Sequence, residues 1–253
     1  MPILAVLGLF LLSSMGKKYG VQPVQIQDLT RKSNYAQVRL TGRVSDEIRF
    51  HSSDQEASGG SLEFEVDDGT DTIRIRAYDD VSDEVQKAGK IPGFGDEVVV
   101  DGSYQYKARR HFIILGSADD LQIRREKPEA ATPIGWLRNP EEKGLKAAQR
   151  LKITGRIEDM KSGAYDRRLW VLDPAGAGTA ISISAGMLAA HGPDHPSVKF
   201  VEGLKAGDYI TCYGSLARSR SRSSQSYWQV APAAPDDLVA ADETAWRNDN
   251  GNP

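Results

Sequence analysis

Two short basic clusters contain the residues of this 253-residue sequence that are best suited to binding chemistry. The first covers residues 106–111 (YKARRH), and the second covers residues 218–223 (RSRSRS) and is followed by Tyr227 and Trp228. Arginine presents a planar fork of donors that matches phosphate oxygens, and serine adds neutral donors. The clusters favour contact with a phosphate backbone, although a solvated loop is the alternative. The predicted contact residues are Lys107, Arg109, Arg110, Arg218, Arg220, Arg222 and Trp228.

A second candidate surface lies on two alternating segments, residues 62–66 (LEFEV) and 73–77 (IRIRA). Their polar side chains share one face, on which Arg74, Arg76 and the aromatic Tyr78 are further candidate contacts for nucleic acid. Opposite charges on neighbouring strands pair with each other, so a salt-paired, solvated face is the favoured interpretation. Tyr78 alone offers a ring for stacking there, which argues against tight, sequence-blind binding on this face.

Catalytic motifs are missing from the sequence. His191 and His195 flank a Gly-Pro-Asp segment whose backbone cannot align two imidazoles on one helix, so a loop without metal is favoured. No glycine-rich phosphate loop and no nucleophile elbow are present. The single cysteine, Cys212, lies in an apolar stretch and is predicted to be a buried, inert thiol. We expect a non-enzymatic protein with no metal and no cofactor.

An internal repeat fixes the architecture. Residues 40–44 (LTGRV) recur as 153–157 (ITGRI), 95–98 (GDEV) recur as 207–210 (GDYI), and 119–121 (DDL) recur as 236–238 (DDL). The three offsets are 113, 112 and 117 residues, in the same order along the chain. Such a repeat indicates two copies of one structural unit.

Each copy alternates apolar and polar residues with the period of a half-buried strand. In the first copy, strands precede and follow a turn at residues 67–70 (DDGT), a short helix is expected over 79–90, and two more strands follow. In the second copy, strands are expected over 168–172 and 179–184, with a helix over 187–190 and then a loop (HGPDHP). The predicted boundaries are an N-terminal segment 1–19, first barrel 24–125, linker 126–149 with a short helix from Glu141, second barrel 150–243, and disordered tail 244–253.

The hairpin formed by residues 62–75, with its Asp-Gly-Thr turn, resembles that of nucleic-acid-binding OB domains of the anticodon-binding and single-strand-binding type. The resemblance covers residues 36–123 well and 150–240 more loosely, because the second copy has no Asp-Gly-Thr turn. It implies an all-β chain of two tandem five-stranded OB-type Greek-key barrels, each with a short helix between its third and fourth strands. It also implies binding of single-stranded DNA or RNA.

The N-terminal segment departs from the composition of a soluble domain. Residues 2–15 carry no charge, and Lys17 and Lys18 follow them. A membrane anchor is favoured over a signal peptide or a buried helix, although the run is shorter than a spanning helix requires. The two lysines favour barrels on the cytoplasmic side.

The net charge of −3 argues against a protein that binds nucleic acid over its whole surface. Residues 24–125 carry 14 Lys and Arg against 19 Asp and Glu, so the first barrel repels a polyanion except near its basic cluster. The favoured function is a membrane-tethered protein that binds single-stranded nucleic acid through the loops between strands four and five. The alternative is an extracytoplasmic OB adaptor that binds a protein or small ligand in an envelope complex, and a purely structural assembly module is a third hypothesis.

Overall fold

The computed structural model describes residues 21, 23–46, 48–51, 60–108, 110–163, 166–220 and 226–250. The segment predicted to be a membrane anchor, residues 1–19, lies outside these residues. Among the helices that are described, none has the length and apolar character needed to cross a bilayer.

The first barrel is built from strands whose buried and exposed side chains alternate, as period-two patterning requires. Its strands are β1 Gln37–Val44, β2 Arg49–His51, β3 Ser61–Asp67, β4 Thr72–Tyr78, β5 Glu97–Lys107, β6 Arg110–Ile114 and β7 Leu121–Arg124. Helix α1, Asp79–Lys87, connects β4 to β5 and buries Val85 against the core. The helix ends three residues earlier than the sequence indicates, before Gly89 at φ +65°.

The barrel closes because β1 pairs with β3 at one end and with β5 along its length. Around the barrel the order is β1-β3-β4-β6-β5, and the β4–β6 pair is parallel. Gly42 lies where β1 passes from one partner to the other. A Cβ there would lie 2.6 Å from Val66 Cγ1 and from the Asp67 carbonyl oxygen, so only glycine permits this close approach.

The second barrel repeats this topology. Its strands are β8 Arg150–Ser162, β9 Asp166–Leu172, β10 Gly178–Ser184, β11 Tyr209–Arg220, β12 Ser226–Pro232 and β13 Leu238–Ala240. Strand β8 pairs with β9 and β11, and β10 pairs in parallel with β12, which closes five strands. The predicted fold, two tandem five-stranded barrels with a helix between the third and fourth strands of each, is therefore confirmed.

Two elements differ from the prediction. The connection from β10 to β11 holds two helices, α2 Ala185–His191 and α3 Pro196–Gly203, where one helix and a loop were expected. Gly192 ends α2 at φ +80°, and Pro196 stands in the first turn of α3, where its missing N–H costs nothing. In the linker, the helix expected from Glu141 is a single 3-10 turn that ends at Gly144, φ +72°.

The C-terminal tail was predicted to be disordered, and the structure corrects this. Residues Glu243–Asn250 form helix α4, which packs on β8 and β11. The Trp246 indole N–H donates to the Leu172 carbonyl at 2.8 Å, and Asp249 pairs with Lys152 at 3.1 Å. The sequence of the tail is polar, so its order comes from these tertiary contacts and not from its own helix propensity.

A buried ionic network joins the barrels. Asp96 of the first barrel is fully buried and accepts from Arg125 at 2.6 Å. Arg150 of the second barrel lies 3.6 Å from Asp96 and donates to buried Asp237 at 2.9 Å. A Cβ on Gly93 would overlap Ala233 of the second barrel, so the two domains meet without room for a side chain there.

Candidate nucleic-acid interface

The outer face of the second barrel carries an exposed tryptophan. On β9, Leu169 and Val171 point into the core, so Trp170 points outward, with 44% of its surface exposed. Trp170 is paired across the sheet with Ala180, and its indole extends over Gly178 of the same strand β10. At 44% exposure beside these small residues, part of the indole is available for stacking.

A hollow of about 520 Å³ lies beside this indole. Strands β8, β9, β10 and β12 form its floor and walls, and the linker turn Ile134–Arg138 borders it. Its volume falls within the range of about 300–1,000 Å³ that is usual for ligand sites. The residues that line it are Leu137, Arg138, Asp159, Lys161, Arg168, Trp170, Gly178, Thr179, Ala180, Tyr227 and Trp228.

The rim of the hollow is mainly basic. Arg168 donates to Asp166 at 2.5 Å and to the Tyr227 hydroxyl at 3.1 Å. The hydrogen bond that Arg168 donates to Asp166 raises the pKa of Arg168, so its guanidinium remains charged. Lys161 is largely exposed, 3.8 Å from Asp159. The rim can therefore contact phosphate while the indole contacts a base.

The predicted contact residues of the second barrel lie partly beside this hollow. Arg218 and Trp228 face each other across the β11–β12 pair, and the guanidinium carbon lies 5.7 Å from the centre of the indole ring. Trp228 also packs on the core, so it is only partly available to a ligand. Arg222 and the side chain of Arg220 lie outside the described residues.

The first barrel presents a different face. Arg76 donates to Glu63 at 2.6 Å, and Arg74 lies 3.7 Å from the same carboxylate. Arg76 also contacts the Tyr78 hydroxyl at 3.3 Å and lies 4.6 Å from the centre of the Phe112 ring. This is the salt-paired face that the sequence favours. A phosphate would have to compete with Glu63 for its cations.

A smaller hollow of about 290 Å³ lies at the edge of that face, between β4 and β6. Arg74, Arg76 and Arg110 all border it, so the structure brings these three predicted residues together. Lys107 and Arg110 form the last pair of the β5–β6 hairpin. Arg109, between them, lies outside the described residues.

Within the part of the chain that the structure describes, no group of three or more histidine, cysteine or acidic side chains is placed to hold a metal. The His191 Nδ1–H donates to the Met187 carbonyl at 2.9 Å. Burial lowers the pKa of His191, which keeps the ring neutral at pH 7. Its partner His195 contacts it edge to face at 5.6 Å.

Trp170 is the residue that the sequence analysis missed. On the equivalent face of the first copy, Tyr78 alone offers an aromatic ring. The same alternation applied to residues 168–172 places Leu169 and Val171 inside and therefore Trp170 outside.

Comparisons with known proteins add distant likenesses. No protein-family model and no curated protein matches the chain. Among solved structures, it is similar to a replication protein A heterotrimer bound to single-stranded DNA, at 13% identity and a TM-score of 0.40, over 91% of this chain and 56% of that one. It is also similar to fission yeast Pot1 with single-stranded DNA, at 12% identity and a TM-score of 0.28, over 90% and 93% of the two chains.

A third similar structure, the S. pombe Stn1–Ten1 complex, has 14% identity and a TM-score of 0.30, over 40% of this chain and 64% of that one. This chain spans little more than half the length of the replication protein A chain. The OB fold itself is established by the strand order and the parallel third-to-fifth strand pair of each barrel.

Proposed function

We propose that this protein binds single-stranded nucleic acid without catalysing a reaction, and that the outer face of the second barrel is the principal site. One observation carries the proposal: the exposed Trp170 indole lies over Gly178 beside a hollow with a basic rim. OB barrels use the face of their second and third strands for such ligands, and β9 and β10 are those strands here.

Each part of the site suits a part of a nucleotide. Stacking of a base on an aromatic ring contributes about 1–3 kcal/mol and tolerates any base, because every base has a π face. Arg168 and Lys161 at the rim supply charge for the phosphates, and Asp159 and Asp166 offset part of it. The expected ligand is therefore a single strand that is bound with limited sequence preference and strong salt dependence.

The basic loops remain part of the proposal. Arg218 lies near the end of β11, next to Trp228 at the edge of the hollow, so its guanidinium extends the same surface. The outer face of the first barrel contributes less to nucleic-acid binding in this proposal, because Arg74 and Arg76 are paired with Glu63. Tethering to a membrane through residues 1–19, with the barrels on the cytoplasmic side, stays a prediction from the sequence.

Fluorescence anisotropy of labelled single-stranded DNA and RNA against the full chain tests the proposal. We expect binding at low salt that weakens as salt is added, and we expect Trp170→Ala to lower the affinity by about fivefold to a hundredfold. Trp136→Ala is the matched control. Trp136 has nearly the same exposure, 42%, but lies 5.9 Å from Lys143 and does not line the hollow.

Two results would reject the proposal. The first is absence of binding at low salt, where electrostatic attraction is strongest. The second is equal affinity for the wild-type chain and Trp170→Ala, which would move any binding to another surface. A double variant, Lys161→Ser with Arg168→Ser, should make the plot of log affinity against log salt less steep. The expected change in slope corresponds to the loss of about two phosphate contacts.

A further inference from the structure

A cluster of cations lies at the end of the first barrel where the β5–β6 hairpin turns. The 3-10 turn Arg31–Ser33 is attached to this end of β5 through hydrogen bonds made by the residues that follow it. The Tyr106 backbone N–H donates to the Asn34 side chain at 2.8 Å, and the Tyr35 N–H donates to the Tyr104 carbonyl at 2.8 Å. Cations from two distant parts of the sequence are therefore fixed on one surface.

We call this surface the basic end; its members are Arg31, Lys32, Tyr35, Lys107 and Arg110. All four of its cations are exposed. None of them pairs with a carboxylate of the described residues, in contrast to Arg74 and Arg76 on the neighbouring face. Because residues 24–125 have a net charge of −5, four unpaired cations at one end make the barrel strongly asymmetric in charge.

Tyr35 is the most exposed of the large apolar residues in the described part of the chain, at 72%. Its φ of +67° lies in the left-handed region, which a tyrosine adopts only when surrounding contacts impose it. The hydrogen bonds at Asn34 and Tyr35 are those contacts. They fix the backbone of Tyr35, whose amphipathic side chain is exposed at the same end of the barrel as the cations, a combination that suits the interface between a bilayer and water.

The direction of the chain at Pro23 is set by its pairing with β1. Pro23 forms a parallel bridge with Arg39, and the Val24 N–H donates to the Arg39 carbonyl at 3.0 Å. Because the bridge is parallel, the chain enters Pro23 in the same direction in which β1 runs away from Tyr35. The uncharged residues 2–15 and the lysines at 17 and 18 precede this entry point by only a few residues.

We propose that the basic end docks the first barrel against the anionic headgroups of a membrane. Its cations would contact lipid phosphates, Tyr35 would enter the headgroup layer, and the acidic remainder of the barrel would face away from the surface. Each cation near an anionic bilayer strengthens binding by about fivefold. Lys107 and Arg110 also belong to the first basic cluster, but the principal nucleic-acid site is proposed around Trp170 on the second barrel, so that site and this surface can fail independently.

The test uses the full chain with Ser33→Cys, labelled with a fluorophore. Cys212 is fully buried, so the label attaches at position 33 beside the basic end. The protein is mixed with vesicles of phosphatidylcholine alone or of phosphatidylcholine with phosphatidylglycerol, each carrying a nitroxide quencher on its headgroups. We expect quenching that requires phosphatidylglycerol and that decreases as salt is added.

Two further chains make the test specific. Replacing Arg31, Lys32, Lys107 and Arg110 with Ser should reduce quenching to the level seen with phosphatidylcholine alone. Replacing four other exposed lysines, Lys87, Lys143, Lys146 and Lys205, changes the net charge equally and should leave the quenching unchanged. Quenching that is equal in both lipids, or that persists without the four cations, would overturn the proposal. A loss of DNA affinity in the first variant with unchanged quenching would assign these cations to nucleic acid instead.

Discussion

Gly178 lies directly beneath the indole of Trp170: a Cβ built on Gly178 would be 2.9 Å from Cε2 and from Cζ2 of that ring. No side chain fits in this space, so glycine lets the indole lie close to β10. The next position of β10 on the same face, Ala180, is also small and lines the hollow beside the ring.

Substitution of Gly178 should therefore weaken nucleic-acid binding by moving the ring. We expect Gly178→Ala to lower the affinity for single-stranded DNA, by less than Trp170→Ala does, because the indole tilts but remains. Anisotropy titrations measure the effect. Gly203→Ala is the control, since no atom lies within 4 Å of the Cβ position of Gly203. Equal affinities for the two glycine variants would show that the position of the indole does not matter.

Much of the fold was predictable because its causes are local. The alternation in β3 and β4 and the repeated Gly-Asp turn depend on neighbouring residues, and both are visible in the sequence. Helix α4 was not predictable, because its order depends on Trp246 and Asp249 reaching β8 and β9 across the fold. Part of the candidate site was predictable, because the outward position of Trp170 follows from the alternation of buried and exposed residues. The position of Gly178 next to the indole was not, because it depends on the register of β9 with β10.

The buried network between the barrels should dominate their stability. Asp96→Ala leaves Arg125 and Arg150 near the interface without their shared carboxylate, and removing one partner of a buried pair costs about 3–5 kcal/mol. We expect the free energy of unfolding, measured by urea denaturation, to fall by about that amount.

The repeat supplies the control for this prediction. Asp208 occupies the equivalent turn of the second barrel and accepts from the Lys205 N–H at 2.8 Å, as Asp96 accepts from the Gly93 N–H at 2.8 Å. Asp208 is exposed and has no arginine partner among the described residues. Asp208→Ala should cost only about 0.5–1.5 kcal/mol, the value of one hydrogen bond. Equal losses in the two variants would exclude a special contribution from the arginines.

The β3–β4 turn should make stability depend on pH in the acid range. Burial raises the pKa of Asp68, but hydrogen bonds from Thr70, Ile26 and Asp71 outweigh it and lower the pKa below its usual value of 3.8. A group with a lowered pKa in the folded state stabilises the protein above its unfolded pKa, and this contribution disappears as the pH falls through the folded value.

Asp68→Asn should therefore cost stability at neutral pH and reduce the loss seen on acidification below about pH 4. Thermal unfolding of both chains across that range measures the difference. Asp71→Asn, in the same turn, is a suitable comparison because, among the described residues, the Asp71 side chain accepts a hydrogen bond only from the adjacent Thr72 N–H. If both variants follow the wild-type pH dependence, Asp68 does not carry the effect.

The buried thiol offers a direct measure of how the barrels are coupled. Burial raises the pKa of Cys212 well above its usual value, so the native protein should not react with iodoacetamide at pH 8. Cys212 lies in the second barrel, whose Arg150 bridges Asp237 to Asp96 of the first. If the network couples the barrels, Asp96→Ala will accelerate alkylation of Cys212, whereas Asp208→Ala, although it lies in the same barrel as the thiol, will change it little. Mass spectrometry of timed samples gives the rates, and the reverse order would mean that the second barrel opens independently of the first.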